Sequence, residues 1–168
     1  MKYFEVSVDK NYVPPAPIEW WGVIDKKTLS QKSAFQMPKH LLFQVEDHMQ
    51  TVFTDIVIFP CCLVSQTVMD VIKMYDGGIS SVRIVLFDKG RKRSKIYYLP
   101  FLDTVEYRKE DVNTKTAVLT FNKQFVENKV IMKTEKDGKT AIIMTMDLVE
   151  SILRRETVGI GLKEVQLV

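Results

Sequence analysis

Val82-Arg83-Ile84-Val85-Leu86-Phe87, the triplet Asp88-Lys89-Gly90, and Ile96-Tyr97-Tyr98-Leu99-Pro100-Phe101 together form the stretch whose reading decides the fold. Two runs rich in β-branched, aromatic and other apolar residues flank a turn triplet, which predicts a β-hairpin with a basic tip. Downstream, residues 117–121, 129–133 and 140–145 also have strand composition. Lys136-Asp137-Gly138-Lys139 joins the last two, and its Asp-Gly pair favours a tight hairpin turn. The middle of the chain is therefore expected to be antiparallel sheet.

Upstream of the hairpin, Ser65 is a good helix N-cap. Val68, Val71, Ile72 and Tyr75 recur at offsets of three, four and seven from Val68, which predicts an amphipathic helix closed by Gly77-Gly78. At the N-terminus, Phe4, Val6 and Val8 alternate with Glu5, Ser7 and Asp9, the period of a strand. Val13-Pro14-Pro15-Ala16-Pro17 cannot continue a ladder, since three of its residues lack an amide donor; it reads as an extended connector delivering Trp20 and Trp21. Residues 26–49 have weak patterning and read as loop or short strand.

Near the C-terminus, Asp147 with Glu150 three residues later resembles a capping box. Leu148, Val149, Ile152 and Leu153 form an apolar face, and Arg154 and Arg155 suit the negative end of the helix dipole. Gly159 reads as the helix exit, and residues 157–168 as a last strand through Leu162, Val165 and Leu167. The expectation is one α+β domain spanning residues 1–168, mainly antiparallel sheet with about two principal helices.

Composition narrows the function classes. With 168 residues, 46% of them hydrophobic and 27% charged, the chain can bury a globular core. The apolar run from Ile56 to Val64 is nine residues broken by Pro60, where a membrane span needs about 20. Met1-Lys2-Tyr3-Phe4-Glu5 leads into no apolar signal region, so a cytoplasmic address and no membrane partner are expected. Adjacent Cys61 and Cys62 suit neither an ordinary disulfide nor a zinc site and read as buried small hydrophobes. Lys89, Arg91, Lys92, Arg93 and Lys95 dominate the charge balance: without them the formal net charge falls from +3 to −2.

No motif announces catalysis. His40 and His48 are the only histidines and lack ligand spacing. There is no Gly-x-Ser-x-Gly elbow or Walker lysine, and Gly159-Ile160-Gly161 lacks the rest of a dinucleotide fingerprint. No cofactor is expected. The candidate binding residues are Lys89, Arg91, Lys92, Arg93 and Tyr97 in the basic hairpin, and Trp20 and Trp21 as hot-spot aromatics. The hairpin charges fit phosphate, an acidic protein surface, or simple solvation of an exposed tip. One tryptophan ring at least is expected to pack in the core.

Several segments, taken in order, resemble one bacterial family: Met1 to Glu5, Trp20-Trp21-Gly22, Thr54-Asp55-Ile56 leading to Leu63-Val64-Ser65, Asp70 to Tyr75, Tyr97-Tyr98-Leu99-Pro100, and Leu148 to Leu162. The chain is similar over nearly its whole length to the polymorphic-toxin immunity proteins grouped as immunity family eleven, earlier catalogued as a domain of unknown function. The resemblance implies a cytosolic, non-catalytic protein that binds and neutralises a cognate toxin domain. It brings no catalytic, cofactor or metal residues with it. Mimicry of nucleic acid would call for an acidic chain, which this is not. Two alternatives stand beside this reading: a nucleic-acid-binding module using the basic hairpin 88–98, and a hydrolase built on scattered carboxylates. The sequence carries no signal of oligomeric state.

Overall fold

Eleven strands and three helices are built among residues 1–26, 29–30, 36–108 and 118–168, the residues that the computed structural model describes. In chain order they are β1 (Tyr3–Val8), β2 (His40–Gln44), β3 (Ile56–Val57), β4 (Leu63–Ser65), α1 (Gln66–Tyr75), β5 (Ser81–Asp88), β6 (Arg93–Pro100), β7 (Thr120–Phe121), α2 (Lys123–Val126), β8 (Ile131–Lys136), β9 (Lys139–Thr145), α3 (Met146–Leu153), β10 (Ile160–Glu164) and β11 (Gln166–Leu167). This is an α+β architecture, with α1 and α3 as the principal helices.

One antiparallel sheet has the order β10-β1-β9-β8. Between β8 and β9, Asp137 and Gly138 have φ of 51° and 74°, the left-handed pair that a two-residue hairpin turn needs. The second sheet has the order β2-β5-β6-β4-β3 and is mixed, because β2 runs parallel to β5. Strand β2 falls inside the weakly patterned 26–49 region, of which residues 27–28 and 31–35 lie outside the described residues. A parallel pair, β11 with β7, completes the set. The expected strand at 117–121 reduces to β7, with Ala117 itself outside the described residues.

The hairpin β5–β6 is longer than its apolar runs imply. Pairing extends to Asp88 opposite Arg93, and Lys92 takes the left-handed turn position with φ 51°. An ion pair at the last rung extends the ladder past the hydrophobic residues.

The first core lies between the two sheets. Val6, Ile142 and Met144 from one sheet meet Ile56 and Val64 from the other, and α1 and α3 complete it with Val68, Val71, Ile72, Leu148 and Ile152. A second core covers the opposite face of the mixed sheet, where Val82, Ile84, Leu86, Tyr97 and Leu99 pack under Ile24 and Leu29. The third uses the far face of the antiparallel sheet, with Tyr3, Met132 and Ile143 against Leu119, Phe121 and Val126. Strands buried on both faces explain the unbroken apolar run of β9.

The helix ends differ from the expected ones. Ser65 caps α1 by accepting the Val68 amide at 3.4 Å, as its position predicts. The helix then stops at Asp76 in an extended conformation, and Asp76 Oδ1 accepts the Gly78 amide at 3.1 Å; neither Gly77 nor Gly78 is left-handed. Thr145, not Asp147, caps α3: β9 runs straight into the helix, which leaves Thr145 extended with its hydroxyl facing the Leu148 amide at 3.4 Å. Glu150 instead pairs with Arg154 at 3.6 Å. Tyr75 and Leu153, expected on the apolar faces, are exposed. The last strand breaks at Val165, which turns into the third core and separates β10 from β11.

Candidate interaction surface

The basic hairpin is occupied from within. Arg93, Lys95 and Tyr97 alternate along β6 and share a side, and together with Arg91 from the turn they all reach segment 49–54. Arg91 donates to the carbonyls of Met49 and Thr51, and Arg93 Nη2 to Thr51 at 2.6 Å. Lys95 donates to Phe53 at 3.4 Å, and the Tyr97 hydroxyl to Thr54 at 2.7 Å. These side chains supply donors for carbonyls that a partner strand would otherwise have to satisfy. The Arg93 guanidinium also lies 4.8 Å from the Phe53 ring centre, and Lys95 pairs with Asp55 at 3.7 Å.

At the turn, Asp88 is 3% exposed and receives the Arg91 amide at 3.1 Å and Arg93 Nε at 3.3 Å. Its burial favours the protonated acid, but the Arg91 amide, the Arg93 hydrogen bond and both guanidinium charges outweigh this and hold its pKa below the usual carboxylate range.

Of the basic residues expected to bind a partner, Lys89 and Lys92 are exposed and make no hydrogen bond or ion pair with the described residues. Arg91 and Arg93 are committed inside the fold. Tyr97 is fully buried, so its ring is closed to a stacking base; the reading of Tyr97 as a binding residue is corrected to a core residue with a satisfied hydroxyl. A strand alternates inward and outward, and the position of Tyr97 opposite Ile84 sets it inward.

Trp20 and Trp21 behave differently. They sit on a turn rather than a strand: the amides of Val23 and Ile24 both donate to the Trp20 carbonyl, and Gly22 has φ 75°. The turn brings the two indoles into a stack, with centres 5.2 Å apart and planes at 23°. Trp20 is half-buried against the second core and anchors the pair, as the expectation of one packed ring requires, whereas Trp21 is 69% exposed. Phe59, 63% exposed, stands edge-on to Trp20 at 5.8 Å and 89°. Its only signal in the sequence is an aromatic residue placed directly before Pro60. The Lys26 ammonium lies 5.3 Å from the Trp20 ring centre and 4.7 Å from that of Phe59.

A second apolar surface lies on the other face of the mixed sheet. Leu42, Val85 and Ile96 form one row across β2, β5 and β6, with Phe87 beside them; Leu42 is 63% exposed and the others are half-buried.

The remaining candidates are structural. Cys61 faces the second core and Cys62 the first, both as free buried thiols, so the adjacent pair does not converge. Burial pushes the Cys61 pKa up to about 12 and raises that of Cys62 as well. Half-buried Lys133 donates to the Leu29 carbonyl, and its burial lowers its pKa. His48 accepts the Gln50 amide at 3.1 Å in a local turn, and His40 is exposed on β2. Among the described residues, no group of three or more His, Cys, Asp or Glu residues is placed to hold a metal ion. No helix among them is long and apolar enough to cross a membrane. No family model matches the chain, and no curated protein matches it.

Proposed function

We propose that this chain is a non-catalytic immunity protein of the cytoplasm that binds and neutralises a cognate polymorphic-toxin domain, with Trp20, Trp21 and Phe59 at the centre of the contact. The observation that carries this reading is the exposure of Trp21 and Phe59 on a platform already held in shape. Leaving two large rings in water forgoes on the order of a few kcal/mol of burial free energy, which partner binding recovers. Tryptophan dominates binding hot spots, and an anchor that is rigid before association loses little entropy on docking. The family resemblance supports the same reading by supplying the kind of partner.

The nucleic-acid alternative draws on the basic hairpin, and the internal bonds of Arg91 and Arg93 weigh against it. Two lysines, Lys89 and Lys92, remain for phosphate at the tip. Releasing two counterions gives a shallow salt dependence.

The test is to express this chain together with the C-terminal domain of a large protein encoded beside its gene, and to follow both growth and co-purification. Rescue of growth with a stable complex is the expected result. A toxic neighbour that neither binds nor is neutralised overturns that pairing, and retention on heparin with a steep salt dependence would move the hairpin reading to the front.

A further inference from the structure

We infer that the perpendicular Trp20–Phe59 pair is a cation-accepting aromatic corner that takes a lysine or arginine side chain of the partner, and that Lys26 is its placeholder in the free protein. The two rings stand edge to face, with planes at 89° and centres 5.8 Å apart, and one cation reaches both. The Lys26 nitrogen lies within 5.3 Å of one ring centre and 4.7 Å of the other, inside the range over which the negative face of an aromatic ring attracts a cation. Trp21, stacked on Trp20, widens the apolar surface around the corner.

An exposed lysine is well hydrated in water, and its nitrogen nevertheless lies over both rings, where the ring quadrupoles attract a cation. The occupant is displaceable. Lys26 is exposed, and a cation–π contact at an exposed site is worth roughly 0.5–1 kcal/mol, well within reach of competition. Alkylammonium and guanidinium groups share the required chemistry. A neutral group of the same shape lacks the charge that the ring quadrupoles recognise.

This inference rests on the platform facing the partner, but its test needs no toxin domain, so the two readings fail separately. The full chain, labelled with ¹⁵N, is titrated with choline chloride and, in parallel, with 3,3-dimethyl-1-butanol as its neutral isostere. The indole N–H signals of Trp20 and Trp21 are followed in the native protein and in Lys26→Met. The expected result is a saturable shift with choline, about three- to sixfold tighter in Lys26→Met because the tethered competitor, worth roughly 0.5–1 kcal/mol, is gone. The isostere should give no saturable shift, and adding Phe59→Ala to Lys26→Met should abolish binding. Absence of saturable binding in Lys26→Met, equal binding of the isostere, or binding that survives Phe59→Ala each overturns the inference.

Discussion

Gly159 lies so close to Thr54 that a β-carbon on the glycine would come within 2.4 Å of Thr54 Cγ2. Gly159 also has φ 78°, so two separate constraints select glycine there. Around this contact, Asp55 clips the C-terminal segment to the mixed sheet. Its amide donates to the Val158 carbonyl at 2.8 Å, and its Oδ2 accepts the Val158 amide at 2.6 Å.

Gly159→Ala should therefore destabilise the protein by about 3 kcal/mol, combining left-handed strain with a buried overlap. Gly22 is the control: it has nearly the same φ, but a β-carbon added there would meet no atom within 4 Å, so Gly22→Ala should cost only the strain, about 1–2 kcal/mol. Urea unfolding of the two variants isolates the contact. Equal losses would mean that the Thr54 contact contributes nothing.

In the basic hairpin, alanine at Arg93 should lower stability, whereas alanine at both Lys89 and Lys92 should leave the urea midpoint unchanged to within about 0.5 kcal/mol. The Asp88 pKa is depressed in the folded state, so its contribution is present above the ordinary carboxylate value and lost as pH falls through the lower folded one. The stability gap between the native protein and Asp88→Asn should thus be constant above about pH 4 and shrink below it. A gap that widens on acidification would contradict the assigned pairing.

The buried thiols give an alkaline signature. Their folded pKa values lie above the unfolded ones, so the stability they contribute is complete below about pH 8.5. It declines as pH rises from there towards the Cys61 value of about 12. The urea midpoint should fall more steeply between about pH 8.5 and 10.5 in the native protein than in Cys61→Ala/Cys62→Ala. An aromatic disulfide reagent should label neither thiol in the native state and both in denaturant; rapid native labelling would contradict their burial.

The parts of the fold legible in sequence are those governed by local chemistry. Ser65 caps, Asp137-Gly138 turns, and the alternation of β1 and the hairpin runs follow from residue type and period. What stays hidden depends on contacts distant in sequence. Strand β2 has little signal of its own, because its partner Arg83–Phe87 lies far along the chain. The basic tip reads as available because its charges are adjacent in sequence. Their carbonyl partners sit in segment 49–54, which no local pattern ties to the hairpin. Trp20 and Trp21 are visible as a pair, but Phe59 joins them only once the chain has folded.

The most direct test of the central claim compares Trp21→Ala and Phe59→Ala with Lys89→Ala/Lys92→Ala in calorimetric titrations against the cognate toxin domain. All three variants alter exposed side chains, so their urea midpoints should stay close to that of the native protein. The account predicts a loss of affinity of at least about tenfold for each aromatic variant, some 1.4 kcal/mol, and little change for the double lysine variant. Undiminished affinity in both aromatic variants, with the lysine variant impaired, would contradict it.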